Sequence, residues 1–166
     1  MPFRSALPAN TKSLFVSDLG TLKSLVEGMP VAIGIASLIK KEEGPMVVPE
    51  ARILYYNQKW RETFGFGMEE CTTAGEATQR MYPDPEQRAD NYRRREEAAR
   101  KALATGKPAE PLLMKARVAD GTTRTFLTGT TVLENMMVVS MEDATALENG
   151  AHVNEDAGGG ERVALS

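Results

Sequence analysis

At 166 residues, 42% of them hydrophobic, the chain carries enough apolar material for one domain with its own core. Its single cysteine, Cys71, excludes an intramolecular disulfide and favours a reducing compartment. Twenty lysines and arginines against 23 acids give a formal charge of −3, which excludes nucleic-acid binding by bulk electrostatics, and no apolar run approaches the roughly 20 residues of a membrane span.

Met1 to Ser5 contain no signal-peptide pattern, so a cytoplasmic location is expected. Residues 1–16 read as an irregular lead-in. Ser17 and Asp18 then offer capping oxygens for a helix over residues 17–29, with Leu19, Leu22, Leu25, Val26 and Met29 on one face. Gly28 and Pro30 end it. That helix either covers one end of the core or pairs two copies of the chain.

Val31 to Ile39 is apolar, β-branched at alternate positions and bounded by Pro30 and charges, which predicts a strand. Lys40 to Glu50 holds charges, Gly44, Pro45 and Pro49, the chemistry of a loop or extended hairpin. A second strand spans Arg52 to Tyr56. Asn57 is a good cap for a short helix, Trp60 and Phe64 share a face at i, i+4, and Gly65 suits the left-handed residue at its end. Residues 67–82 read as two helical turns joined at Gly75.

Asp84-Pro85-Glu86-Gln87 supplies a cap, a proline at the first helical position and a capping-box glutamine. The helix that follows reaches Thr105 and stops at Gly106. Asp90–Arg94, Glu96–Arg100 and Glu97–Lys101 are acid-before-base pairs at i, i+4, so Arg93-Arg94-Arg95 reads as a solvated helix face. Leu112, Met114, Ala116 and Val118 alternate as a strand, Asp120-Gly121 signals a two-residue hairpin, and Thr122 to Leu133 is β-prone. Glu134-Asn135 turns into a last strand, Met136 to Met141. Residues 146–166 are polar, glycine-rich and aperiodic, and are expected to be a disordered tail. Strands flanking a block of helices predict an α+β fold: a five-stranded antiparallel sheet with helices on one face.

Catalytic chemistry is sparse. The one histidine, His152, lies in the expected tail, which leaves residues 1–145 without the base of a Ser-His-Asp or Cys-His arrangement. No Cys-x-x-Cys or His-Glu-x-x-His spacing suggests a metal, and no glycine-rich Lys-Ser/Thr loop suggests a nucleotide. Asp84, Asp120 and Asp143 fall at cap, turn and strand-end positions. A non-enzymatic role is expected.

The order of Ile53 to Phe66, Pro83-Asp84-Pro85, Asp120-Gly121 and Glu142-Asp143-Ala144-Thr145 resembles the PAS family of sensory domains, over about residues 18–145. The resemblance implies a non-catalytic signalling module with a ligand between the inner sheet face and the short helices. Alternation would place Ile53, Tyr55 and Asn57 on the inward face, with Phe64 and Met81 opposite. Ser140, three residues before Asp143, and Thr128 are implied polar contacts. Asp143 and Thr145 form the implied junction for signal relay. The helix carrying Leu19, Leu22, Leu25 and Val26 is the implied homodimer interface.

The same resemblance argues against the family's best-known cofactors. No histidine in residues 84–105 can ligate haem, and Cys71 lacks the Asn-Cys-Arg context of the light-sensing LOV relatives and falls about one helical turn early. No histidine-kinase sequence follows Thr145, so the relay would run through a partner such as a kinase or a transcription regulator. Two readings stay open: a sensor with a small-molecule ligand in its core, or a closed module that only dimerises or docks.

Overall fold

The computed structural model describes residues 11–37, 50–133 and 135–147. The end of the predicted first strand, most of the charged loop after it and nearly all of the expected tail lie outside them. The elements run α1 (Thr11–Glu27), β1 (Ala32–Ser37), β2 (Ile53–Tyr56), α2 (Gln58–Phe64), α3 (Ala74–Met81), α4 (Pro85–Thr105), β3 (Leu112–Arg117), β4 (Thr123–Leu133) and β5 (Met136–Asp143). The five strands form one antiparallel sheet in the order β2-β1-β5-β4-β3. The expected α+β architecture is therefore the observed one.

The inner face of the sheet is covered, and so is the outer face over β2, β1 and part of β5. The inner face packs Ala36, Ile53, Met114, Phe126, Met137 and Val139 against Trp60 and Phe64 of α2 and Ala77 and Met81 of α3. The outer face gathers Ile33, Ile35, Leu54, Tyr55, Met136 and Val138 beneath Val26 of α1. Beside the expected helices of the inner face, the flanking helix α1 covers β1 from the outside. Together they explain why Ala32 to Ala36 are all buried: a strand covered on both faces has no polar side to show.

Capping chemistry sets the helix ends. Thr73 caps α3 in a complete box, its hydroxyl accepting from the Glu76 N–H while the Glu76 carboxylate accepts from the Thr73 N–H. One helix thus replaces the two turns expected over 67–82, and Gly75 sits inside its first turn. Asp84 caps α4 as expected, accepting from the Glu86 N–H at 3.1 Å, but Gln87 donates to the Lys115 carbonyl on β3 instead of completing a box. Helix α1 starts at Thr11, so Ser17 and Asp18 lie within it and residues 11–16 are not a lead-in.

Three further expectations change with long-range pairing. The β3–β4 loop is wider than two residues, because Arg117 pairs with Thr123 and the Val118 N–H donates to the Thr122 carbonyl. Asp120 accepts from the Thr122 N–H and hydroxyl, and Gly121 takes φ +84°. On α4, Glu96 does pair with Arg100, but Asp90 holds Arg93, Arg94 reaches the Leu113 carbonyl, and Lys101 lies 3.8 Å from Glu110. Arg95 is not on the solvated face at all. It is buried, in line with Asn91, Ala99 and Ala102.

The third change decides the site. Gly34 pairs with Tyr56 and Ile35 with Tyr55, but Ala36 pairs with Ile53, which leaves Leu54 as the extra residue of a β-bulge. The bulge breaks the alternation, so Ile53 and Tyr56 face inward while Tyr55 joins the outer cluster.

Candidate functional site

Asn57 ends β2 and begins α2. Its side-chain carbonyl accepts from the Ile33 and Trp60 N–H groups, both at 2.9 Å, and its amide nitrogen donates to the Val26 and Val31 carbonyls, both at 2.8 Å. One side chain thus ties the end of α1, the entry to β1 and the start of α2 together. It has no bond left for a ligand, which corrects its expected binding role. Arg61, one turn on, repeats the linkage on the surface by donating to the Tyr56 carbonyl and pairing with Glu27 of α1.

From this anchor an aromatic cluster fills one end of the interior. The Tyr56 and Trp60 rings stack at 4.8 Å, Phe64 lies 4.8 Å from Trp60, and Phe126 lies 5.3 Å from Phe64. Gly34 makes room for the stack, since a Cβ there would sit 3.3 Å from Tyr56 and 3.4 Å from Trp60. Phe64 is a core packing residue whose outer side borders a separate open cleft with Phe66, Arg80 and Arg117. Burial, then the Cys71 thiol and the Glu76 carboxylate, hold the Tyr56 hydroxyl well above the ordinary phenol value, so it stays protonated. Burial likewise pushes up the Cys71 thiol, partly opposed by Arg80.

Beyond the rings lies a cavity of about 30 Å³ between the inner sheet face, α3 and α4. Gly34 contributes bare backbone, Ala36, Ala74 and Ala77 small side chains, Met81 and Met137 flexible ones, and Tyr56, Trp60, Thr78 and Arg95 polar ones. The space is about that of one water. The Tyr56 hydroxyl, the Trp60 indole nitrogen and the Arg95 Nε are all buried without a hydrogen-bond partner among the described residues. Such groups are exceptions in folded proteins and each calls for a cause.

Of the residues expected around a ligand, Ile53 and Met81 line this cavity. Thr128 faces the inner core, opposite Met141, and its hydroxyl is also buried without a partner among the described residues. Ser140 points the other way: it pairs with Gly129 and with Ile33 of the outer cluster, and a Cβ on Gly129 would come within 2.7 Å of its hydroxyl. Tyr55 is likewise outside, under α1, with the Lys23 ammonium 5.5 Å from its ring. Arg95 and Tyr56 are the residues that sequence reasoning missed. The available signal for Arg95 was its place in the Asn91, Arg95, Ala99, Ala102 row at helical spacing.

At the end of β5, Asp143 pairs with Arg124 at 3.4 Å and accepts from the Thr145 N–H at 3.0 Å. The Thr145 hydroxyl accepts from the Thr125 N–H at 3.2 Å, and the Ala144 N–H donates to the Thr125 carbonyl at 2.8 Å. Asp143 and Thr145 thus lock the chain's exit to β4. Burial opposes ionisation of Asp143, but the bonds from Thr145 and Arg124 outweigh it and leave the carboxyl below its ordinary value. On α1 the expected stripe divides. Val26 is buried and Leu19 and Leu22 pack partly against the same cluster, while Leu25 is 63% exposed and Met29 38%.

Among the described residues no group of histidines, cysteines and acids suits a metal ion, and no helix is long and apolar enough to cross a membrane. No family profile and no curated protein matches the chain. Solved structures do. An RNA-binding light-oxygen-voltage receptor superposes with a TM-score of 0.57 at 17% identity, over 95% of this chain and 40% of the receptor, so the chain spans well under half of that protein. A Rhodobacter sphaeroides LOV protein gives 0.53 at 14% identity over 76% of this chain and 67% of its own. The PAS domain of the Cronobacter turicensis RpfR quorum-sensing receptor, solved in complex with BDSF, gives 0.50 at 16% identity over 72% of this chain and 99% of its own. At these identities the likeness is one of fold, and the fold is that of the PAS and LOV domains.

Proposed function

We propose that this PAS-fold chain is a non-catalytic sensory module that binds a small ligand between the inner sheet face and α3–α4 and relays its state to a partner protein. One observation carries the proposal: three buried polar groups, on Tyr56, Trp60 and Arg95, stand without partners among the described residues in the wall of an interior cavity. A ligand, or an ordered water in its absence, satisfies them. The relay leaves through the Asp143–Thr145 lock toward a kinase or transcription regulator. A homodimer forms through the exposed side of α1, and the protein works in the cytoplasm.

A second reading has its own support. A cavity of about 30 Å³ is far below the roughly 300 Å³ at which ordinary ligand pockets begin, as a closed interaction module would have it. Native mass spectrometry of the purified chain, followed by denaturation and small-molecule analysis, separates the two. A stoichiometric retained compound supports the sensor. Protein without one, and with no thermal shift across a broad metabolite panel, supports the closed module.

A further inference from the structure

Arg95 is 7% exposed on a helix otherwise rich in solvated charge. Its guanidinium donates to the Tyr82 hydroxyl at 3.1 Å, comes within 4.0 Å of the Met141 sulfur and lies 5.8 Å from the Tyr82 ring. Among the described residues no acid pairs with it, and Glu96, the next residue in sequence, pairs with Arg100. Arginine does not lose its proton, so this charge cannot neutralise itself as a buried lysine or carboxylate would. A buried charge without a counter-charge is among the most costly features a core can hold.

The orphaned atoms of the inner core, the Thr128 hydroxyl among them, can all donate. The Arg95 Nε, the Trp60 indole nitrogen and the Asn91 amide nitrogen, one helical turn before Arg95, can only donate, and the Tyr56 hydroxyl carries a proton to give. A surplus of donors calls for an acceptor, and a permanent cation among them calls for an anionic one. The guanidinium fork matches a planar carboxylate in two parallel bonds. The rest of the wall is mostly apolar, with Ile53, Ala77, Met81, Met137 and Val139; its remaining polar side chain, Thr78, already donates to the Ala74 carbonyl. The two methionines have the rotatable bonds to repack around an occupant larger than the present void.

We infer that the core ligand is a small carboxylic acid with an apolar body, its carboxylate on Arg95 and its body among Met81, Met137 and the sheet. This rests on the ligand-binding function proposed above and gives it a chemical class.

Trp60 is the only tryptophan and stands in the cavity wall, so its emission reports occupancy directly. The purified chain is titrated at constant ionic strength with sodium butyrate, hexanoate and octanoate, and with the alcohols of matching length. Saturable quenching or shift by at least one carboxylate is expected, with its alcohol binding at least tenfold more weakly. Arg95→Met should cost the carboxylate at least tenfold, about 1.4 kcal/mol, and leave the alcohol unchanged. If Arg95→Met does not fold, Arg95→Lys and the carboxylate–alcohol comparison on the unaltered chain decide. Equal binding of acids and alcohols, or undiminished acid binding by the variant, overturns the carboxylate assignment and leaves the ligand site standing. No response to either series, with no compound retained on native mass spectrometry, overturns both.

Discussion

Asn57 makes all four hydrogen bonds its amide allows, and it does so where three elements meet. Asn57→Ala strands two N–H groups and two carbonyls in a dry interior. At about 1–3 kcal/mol for each buried group left unpaired, some relieved by relaxation, the loss should be on the order of 3 kcal/mol or more in urea unfolding. Asn57→Asp should also be poorly tolerated at neutral pH, because an acceptor would then face the Val26 and Val31 carbonyls. Asp143 gives a second prediction. Its folded-state value lies below the ordinary 3.8, so its contribution is fully present above that value and is lost as pH falls through the lower, folded one. Thermal melts below pH 4 should therefore fall less steeply for Asp143→Asn than for the unaltered chain, although Glu76 and Asp120, both also held low by threonine bonds, keep part of the slope.

At the scale of elements, what could be read from sequence was what neighbours in the chain decide. Asn57 and Asp84 as caps, and Gly65 and Gly106 as stops, are local chemistry, and both glycines do take left-handed conformations, φ +75° and +65°. They should nonetheless respond differently to alanine. A Cβ on Gly65 meets the Ala119 Cβ at 3.0 Å, whereas around Gly106 there is nothing within 4 Å. Gly106→Ala should cost about 1–2 kcal/mol for the conformation alone, and Gly65→Ala measurably more in the same denaturation assay. The bulge at Leu54 was hidden because it arises from pairing with β1, some 20 positions away. It moves Tyr55 out and Tyr56 in, and with them the composition of the site. Arg95 was hidden by its flanks: a run of arginines among acids suggests solvent, and only the Asn91–Ala99–Ala102 row, which packs on the sheet, reveals that one of them turns inward.

For the molecule as a whole, the division of α1 bears on assembly. Val26, Leu19 and Leu22 are engaged with the chain's own sheet, so a substitution that tests dimerisation has to spare them. Leu25 and Met29 are the exposed pair. Leu25→Glu with Met29→Glu should convert a sedimenting dimer to a monomer with unchanged circular dichroism. A species that is already monomeric at high concentration would leave α1 as a cover only. The coverage of β1 on both faces has a consequence for exchange kinetics. β1 is hydrogen-bonded along both edges, to β2 and β5, and shielded above and below. β3 lies at the sheet's edge, with Leu113 exposed. In deuterated solvent the amides of Ile33 to Ala36 should open only when the entire domain unfolds, and so set the slowest exchange clock in the protein, while those on the free side of β3 exchange through small local openings.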